Sequence, residues 1–384
     1  MTDSKLTAEL VMETFSSSEF LLAPSEFLAR MRREMPLVYL PELETWMVFR
    51  YADVQSVFTD HATYSSKVKF PPEQKDFTQS VNFIDPPRHK SVRSLAQQSF
   101  TLKRVEAMAP RIEAIAGDLL SAALERDEFD FILDYANPLP VIVIAEILGV
   151  PTDDTAYFTE LSNRIVTMDQ AAITELATYF RALIKHRQAH PGDDLVTSLV
   201  QAHDAIGSLS EQELVDFCIV LLVGGNETTA KLIGNTMLAL HDFPEMRAVL
   251  HRTPELAGAF IEEVLRLRAP VQTLPRIVRA DTVLHGQTLR AGQQIEACIG
   301  AANRDETVFD QPDQLRLDRT KGRHLAFGNG IHFCLGAPLA RLETRIALMH
   351  ALERLPNIEI QPDADLMPIP THVFHGLVSL PVRY

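Results

Sequence analysis

The sequence predicts a mainly α-helical, single-domain fold over residues 1–384, with one long central helix and small β-sheets. Three observations point there. Apolar residues recur at helical spacing through most of the chain. One of these periodic runs is much longer than the others. Strand-like alternation is confined to two places, which gives a β-rich part over roughly 36–70 and 270–300.

In chain order, "TWMVFR" near residue 47 reads as a strand. Helices follow at Val105 to Leu124, Pro140 to Leu148, Ile173 to Gln188, Gln212 to Leu240 and Pro254 to Leu267. "TVLHGQTLRAGQQIEACI", after residue 281, reads as a hairpin with turns at His285-Gly286 and Ala291-Gly292. Repeats, low-complexity tracts and long linkers are absent from the sequence.

Composition narrows the function. At 46% hydrophobic and 23% charged residues, the balance is that of a soluble globular protein with a large core. A net charge of −15 gives no support to nucleic acid or an anionic membrane as partner. Cys218, Cys298 and Cys334 are odd in number and far apart, so neither a disulfide framework nor a zinc cluster fits. That argues for a reducing compartment. The acidic-polar N-terminus lacks the pattern of a secretory signal, and "FCIVLLVGG" is too short to cross a bilayer. The expectation is a cytoplasmic protein.

The long periodic run opens with a capping box, Ser210 and Glu213, and ends before Pro244. About 30 residues at the standard rise make a helix about 45 Å long. Its first half is apolar nearly all round, the mark of a buried central helix. Yet Gly224 and Gly225 interrupt it, each costing about 1 kcal/mol relative to alanine. Polar Glu227, Thr228 and Thr229 follow directly. Glycines there leave room for something flat or bulky. Thr228 lies four residues after Gly224, so its hydroxyl can bond the Gly224 carbonyl and bend the helix.

The second unusual stretch is "HLAFGNGIHFCLGAPLARLE", residues 324 to 343. Gly328, Gly330 and Gly336 permit backbone shapes and close approaches closed to other residues. Ala337 to Glu343 is helix-forming, and Pro338 suits a first helical turn. Cys334 therefore sits at a helix N-terminus, where orphan N–H groups favour a thiolate. That leaves two roles, nucleophile or metal ligand.

Taken together, these stretches resemble the cytochrome P450 family, in particular its soluble bacterial members. "FGNGIHFCLG" matches the haem-binding loop at Phe327, Gly328, Gly330, His332, Cys334 and Gly336. "GGNETT" resembles the oxygen-activation motif, with Gly224 where alanine is commoner, and "EEVLR" supplies the Glu-x-x-Arg pair as Glu263 and Arg266. The likeness runs from "FIDPPRHKSVR" near residue 83 to the C-terminus, and more weakly back to the N-terminal strands.

The resemblance implies a cytochrome P450 fold and a haem-thiolate monooxygenase using haem b, with Cys334 as axial iron ligand. A thiolate pushes electron density onto iron and favours O–O cleavage. Phe327 and nearby N–H donors would tune it. His89, Arg93, Arg276 and His332 match the residues that hold the haem propionates. Glu227 and Thr228 match the acid–alcohol pair, Thr228 hydrogen-bonding dioxygen and Glu227 relaying protons to it. Glu263 and Arg266 match a buried structural pair whose usual third partner is an arginine. Here Gln314 falls at that place, so the group that completes the network is open.

The sequence holds no flavin or ferredoxin domain, so electrons would come from a separate ferredoxin or flavodoxin and its NAD(P)H-dependent reductase. Lys103, Arg104, Arg323, Arg341 and Arg345 are candidates either for docking an acidic carrier or for ordinary solvated surface. The expected substrate pocket is lined by Val68, Phe70, Phe77, Val81, Ile165, Val166, Val220, Val223, Gly224, Val271, Leu274, Val373 and Phe374. Gln272, Thr273 and His375 add hydrogen bonds. Such a lining suits a small lipophile, and the resemblance, greatest to bacterial members that accept fatty acids, terpenoids and steroids, implies a substrate of one of those types. Two rival readings are an H2O2-driven peroxygenase, against which Glu227-Thr228 argues, and a non-catalytic haem sensor, which leaves that pair unexplained.

Overall fold

The central helix forms as its capping box predicts, over Glu211–Asp242. The Ser210 N–H donates to Glu213 Oε2 at 2.7 Å, and the Glu213 N–H donates to Ser210 Oγ at 3.2 Å. Among the described residues this helix alone is long and apolar enough to cross a membrane, but 67% of its most apolar window is buried inside the protein. The computed structural model describes residues 5–68, 80–126, 128–151, 154–166, 169–206 and 210–384. The described chain falls into two compact units.

The first unit comprises Met1–Val68, Gly234–Cys334 and Ile360–Leu380. It holds a five-stranded sheet in the order Leu37–Leu40, Thr45–Val48, Gln294–Cys298, Thr273–Val278, Tyr64–Ser65. Neighbours are antiparallel except Thr45–Val48 and Gln294–Cys298, which run parallel. The predicted hairpin is shorter than the sequence suggests. Thr282–Leu284 and Gln287–Leu289 pair around His285 and Gly286, both in the left-handed region. After Gly292 (φ +84°) the chain leaves that ribbon, and its next strand enters the main sheet.

Helices Ala8–Phe15, Ser18–Leu22, Ser25–Glu34 and Tyr51–Thr59 lie in this unit, outside the helical runs read from sequence. Val11, Phe15, Phe27, Met31, Met47 and Phe49 join Cys298 and Ala301 in one of its cores. Val54, Phe58, Val278, Ile295 and Leu325 share another.

The second unit comprises Lys69–Ile233, Leu335–Glu359 and Pro381–Tyr384. It is helical, with Phe129–Asp130 and Pro381–Arg383 pairing antiparallel. Its core draws on Leu148, Phe158, Leu161, Leu176, Phe180, Phe217 and Leu222. One predicted element is corrected here. The helix expected at Val105 to Leu124 is two helices, Leu102–Ala107 and Ala109–Ala123. Pro110 is the cause: it has no N–H to continue an incoming helix, but fits the first turn of a new one.

Candidate active site

In the first unit, the loop before Cys334 is shaped by two glycines at positive φ, Gly328 (+69°) and Gly330 (+72°). A Cβ on Gly330 would stand 2.9 Å from the Phe58 carbonyl oxygen, so the loop crosses the end of helix Tyr51–Thr59 only because no side chain is there. Gly330–His332 makes one 3-10 turn, and the Cys334 N–H then donates to the Phe327 carbonyl at 2.9 Å. Gly336, at φ −79°, precedes helix Ala337–Arg354, with Pro338 in its first turn. Of the three cysteines, Cys334 is half-buried while Cys218 and Cys298 are fully buried. Burial pushes both of those thiols up to about 12, which makes them inert core groups.

His332 Nε2 lies 2.9 Å from Ser66 Oγ, a partner the sequence reading missed. Arg276 is buried, with its Nη1 donating to the Pro275 carbonyl at 2.8 Å and its guanidinium over the Phe58 ring at 5.4 Å. Arg276 thus holds its cation inside the unit, while His332 is half-buried.

Glu263 and Arg266 form a buried bidentate pair at 2.7 and 2.8 Å. The open third place is filled by Arg319, whose Nε donates to Glu263 Oε1 at 3.0 Å. Gln314 contributes only its backbone carbonyl, which accepts from Arg266 Nη2 at 2.8 Å and from Arg319 Nη2 at 3.2 Å. Burial alone would raise the Glu263 carboxyl. The Arg266 hydrogen bonds and charge, with the Arg316 N–H and Arg319, outweigh it and hold the carboxyl below its usual range.

In the second unit, the middle of the central helix is uneven in exposure. Val220, Leu222, Asn226, Thr229 and Ala230 are buried, but Gly224 is exposed and Glu227 and Thr228 are half-buried. A Cβ built on Gly224 meets no atom within 4 Å, whereas one on Gly225 meets Ile144 at 3.4 Å. The two glycines thus serve different ends, one facing open space and one allowing close helix packing. Thr228 Oγ1 donates to the Gly224 carbonyl at 2.8 Å, the bond expected from their spacing. Glu227 forms an ion pair with Lys231, one turn further on, which sequence reading passed over.

His89 and Arg93 stand one turn apart on helix Arg88–Ser99, His89 buried and Arg93 half-buried. Arg88, on the same helix, clamps Glu213 of the central helix. Lys103, Arg104 and Arg345 are exposed and Arg341 is half-buried. Helix Leu102–Ala107 packs against Ala337–Arg354, which brings these cations onto neighbouring helices. Arg323, in the first unit, is exposed and lies over the Phe333 ring at 4.7 Å.

Of the expected pocket lining, Phe70 and Phe77 lie outside the described residues, as does the side chain of Val166. Val81, Ile165 and Val220 are buried in the second unit's core, with Val223 packed against it. In the first unit Val68 is half-buried, Val271 and Leu274 pack on a core cluster, and Val271 bridges to Phe374. The Val373 carbonyl accepts from the Gln272 N–H at 2.8 Å. Gln272, Thr273, Phe374 and His375 also line a cavity of about 20 Å³ beside Phe15, Phe20 and Leu28. Burial, helped by Arg268 and Arg304, pulls the His375 imidazole down to about 3, so it is neutral.

The residues in each unit fit a haem. A half-buried cysteine follows a loop only glycine can make, buried cationic or donor groups are at hand for carboxylates, and Gly224 leaves a helix face bare. Comparison with known proteins agrees. A family model for cytochrome P450 matches residues 255–384. Cytochrome P450 109 of Bacillus spizizenii is 38% identical over 388 residues, 97% of this chain and 94% of the relative. Mycinamicin IV hydroxylase/epoxidase of Micromonospora griseorubida is 40% identical over 354 residues, 88% of this chain and 89% of that protein. The crystal structure of CYP109E1 from Bacillus megaterium in complex with testosterone superposes with a TM-score of 0.90 at 37% identity, covering 96% of this chain and 99% of the other.

Proposed function

Because this chain belongs to the cytochrome P450 family and is a monooxygenase with haem b, we propose that it inserts one oxygen atom from O2 into a lipophile of fatty-acid, terpenoid or steroid type. The observation that carries this reading is the exposed Gly224 beside half-buried Glu227 and Thr228 on a central helix whose Leu222, Asn226, Thr229 and Ala230 are buried. The haem, when bound, supplies the site where dioxygen is held and reduced. Cys334 would be its thiolate ligand, with Phe327 and Gly336 on either side of it in the loop. His89, Arg93, Arg276 and His332 would neutralise its propionates.

Thr228 gives a hydroxyl that, once turned from the Gly224 carbonyl, donates to the reacting oxygen. Glu227 helps relay the protons that follow, directly or through water. Val68, Val271, Leu274, Val373 and Phe374 of the first unit, and Val223 of the second, would exclude water and hold the substrate through buried apolar area. Testosterone bound to CYP109E1 and the mycinamicin IV named for the Micromonospora enzyme support a bulky lipophile. Electrons arrive from a ferredoxin or flavodoxin with its NAD(P)H-dependent reductase, docking over Lys103, Arg104, Arg323, Arg341 and Arg345. The protein works as a single domain in the cytoplasm.

The test is turnover of the holoenzyme under 18O2 with a surrogate ferredoxin and reductase. Testosterone and palmitate are offered beside an amino acid and a sugar. One 18O atom in a product from either lipophile supports the reading. No product, or oxygen drawn from water, contradicts it.

A further inference from the structure

Lys231 is an unusual residue for its place. It stands on the central helix four residues after Glu227 and three after Thr228, so all three share one side of the helix. Its side chain is only 8% exposed, and its ammonium pairs with a Glu227 carboxylate that is itself 16% exposed. Apolar Leu232 and Ile233 follow it into the core. A surface pair at this spacing contributes a few tenths of a kcal/mol and leaves both groups free to move. A largely buried pair is different, because either charge left alone pays a desolvation cost. Burial pulls the Lys231 ammonium down to about 7. The pair therefore fixes where the carboxylate sits. Apolar residues of similar volume in place of a buried pair are often no less stable.

We infer that Lys231 is a positioning residue for proton delivery: by holding the Glu227 carboxylate along the helix, one turn from Thr228, it sets how much reduced oxygen ends in product rather than peroxide. The inference rests on the proton-delivery role proposed for Glu227 and Thr228. On this reading Lys231 acts through Glu227. Freed from it, Glu227 turns toward solvent or takes up a proton and keeps it, and in either case fewer protons reach the reacting oxygen.

The test compares Lys231→Met, Lys231→Arg, Glu227→Gln, Thr228→Ala and the Lys231→Met/Glu227→Gln double variant as holoenzymes with surrogate redox partners. Lys231→Met should lower product per NADPH about threefold or more, below the roughly 10²- to 10⁴-fold that a general acid itself contributes. Peroxide should rise to match, with the substrate dissociation constant unchanged. Lys231→Arg should restore coupling. In the Glu227→Gln background the lysine change should add nothing.

A second readout needs no turnover. Each single variant of the pair should melt lower than the parent, and the double variant should recover part of that loss. Wild-type coupling in Lys231→Met while Thr228→Ala uncouples would overturn the role of Lys231 alone. Wild-type coupling in Thr228→Ala would overturn the proton-delivery reading and this inference with it. Losses that add in the double variant would show that Lys231 acts on something other than Glu227.

Discussion

Glu263→Gln removes one charge from the most densely bonded carboxylate described in the first unit. Its Oε1 accepts from Arg266 Nε at 2.7 Å and Arg319 Nε at 3.0 Å, and its Oε2 from Arg266 Nη2 at 2.8 Å and the Arg316 N–H at 2.9 Å. Glu263 is 4% exposed and Arg266 1% exposed, so water cannot replace the lost partner. A glutamine there keeps one acceptor and turns an NH2 group toward donors. Breaking a buried pair from one side costs about 3–5 kcal/mol. At ~2.1 cal/mol/K per residue, 384 residues give an unfolding entropy of about 0.8 kcal/mol/K. The melting midpoint should then fall by about 4–6 °C. Calorimetry of the two holoenzymes, with the reduced carbon monoxide spectrum recorded on each, measures this. A midpoint within about 1 °C of the parent would mean the carboxylate behaves like a surface charge and the burial argument fails.

The same carboxylate fixes a pH dependence. Its folded value lies below the unfolded one, so its contribution is complete above the unfolded range of about 4.3 and is lost as pH falls through the folded value. The parent's extra stability over Glu263→Gln should therefore shrink in acid, and a gap that stays constant to low pH would contradict this. Thr228→Ala should bind haem and substrate nearly as the parent does, yet consume NADPH with more peroxide and less product. Unchanged coupling would mean that protons arrive by another route. Lipophiles such as testosterone and palmitate should displace the sixth-ligand water and shift the haem spectrum. Shifts seen only with amino acids or sugars would refute the apolar pocket.

What the sequence could tell was local. The capping box at Ser210 and Glu213 and the Thr228 bond to Gly224 follow from spacings of three and four residues on one helix. The break before Pro110 was legible by the same kind of rule but lay inside a convincing apolar periodicity. The Glu227–Lys231 pair was within reach too, at a four-residue spacing, and was masked by the weight of the adjoining motif. Contacts between distant segments were not legible. Arg319 meets Glu263 across 56 residues, and Ser66 meets His332 across 266. Nor does any local pattern say that Gln294–Cys298 leaves its hairpin to run parallel to Thr45–Val48, since strand pairing depends on which edges tertiary packing exposes.

Whether Cys334 supplies the thiolate that holds the haem is read from the carbon monoxide spectrum of the reduced protein. The parent should show the red-shifted Soret band of thiolate-ligated haem, and Cys218→Ala and Cys298→Ala, which alter only buried thiols, should keep it. Cys334→His should move the band toward the globin position and abolish oxygenation. A Cys334→His protein that retains the parent's band would contradict the assignment.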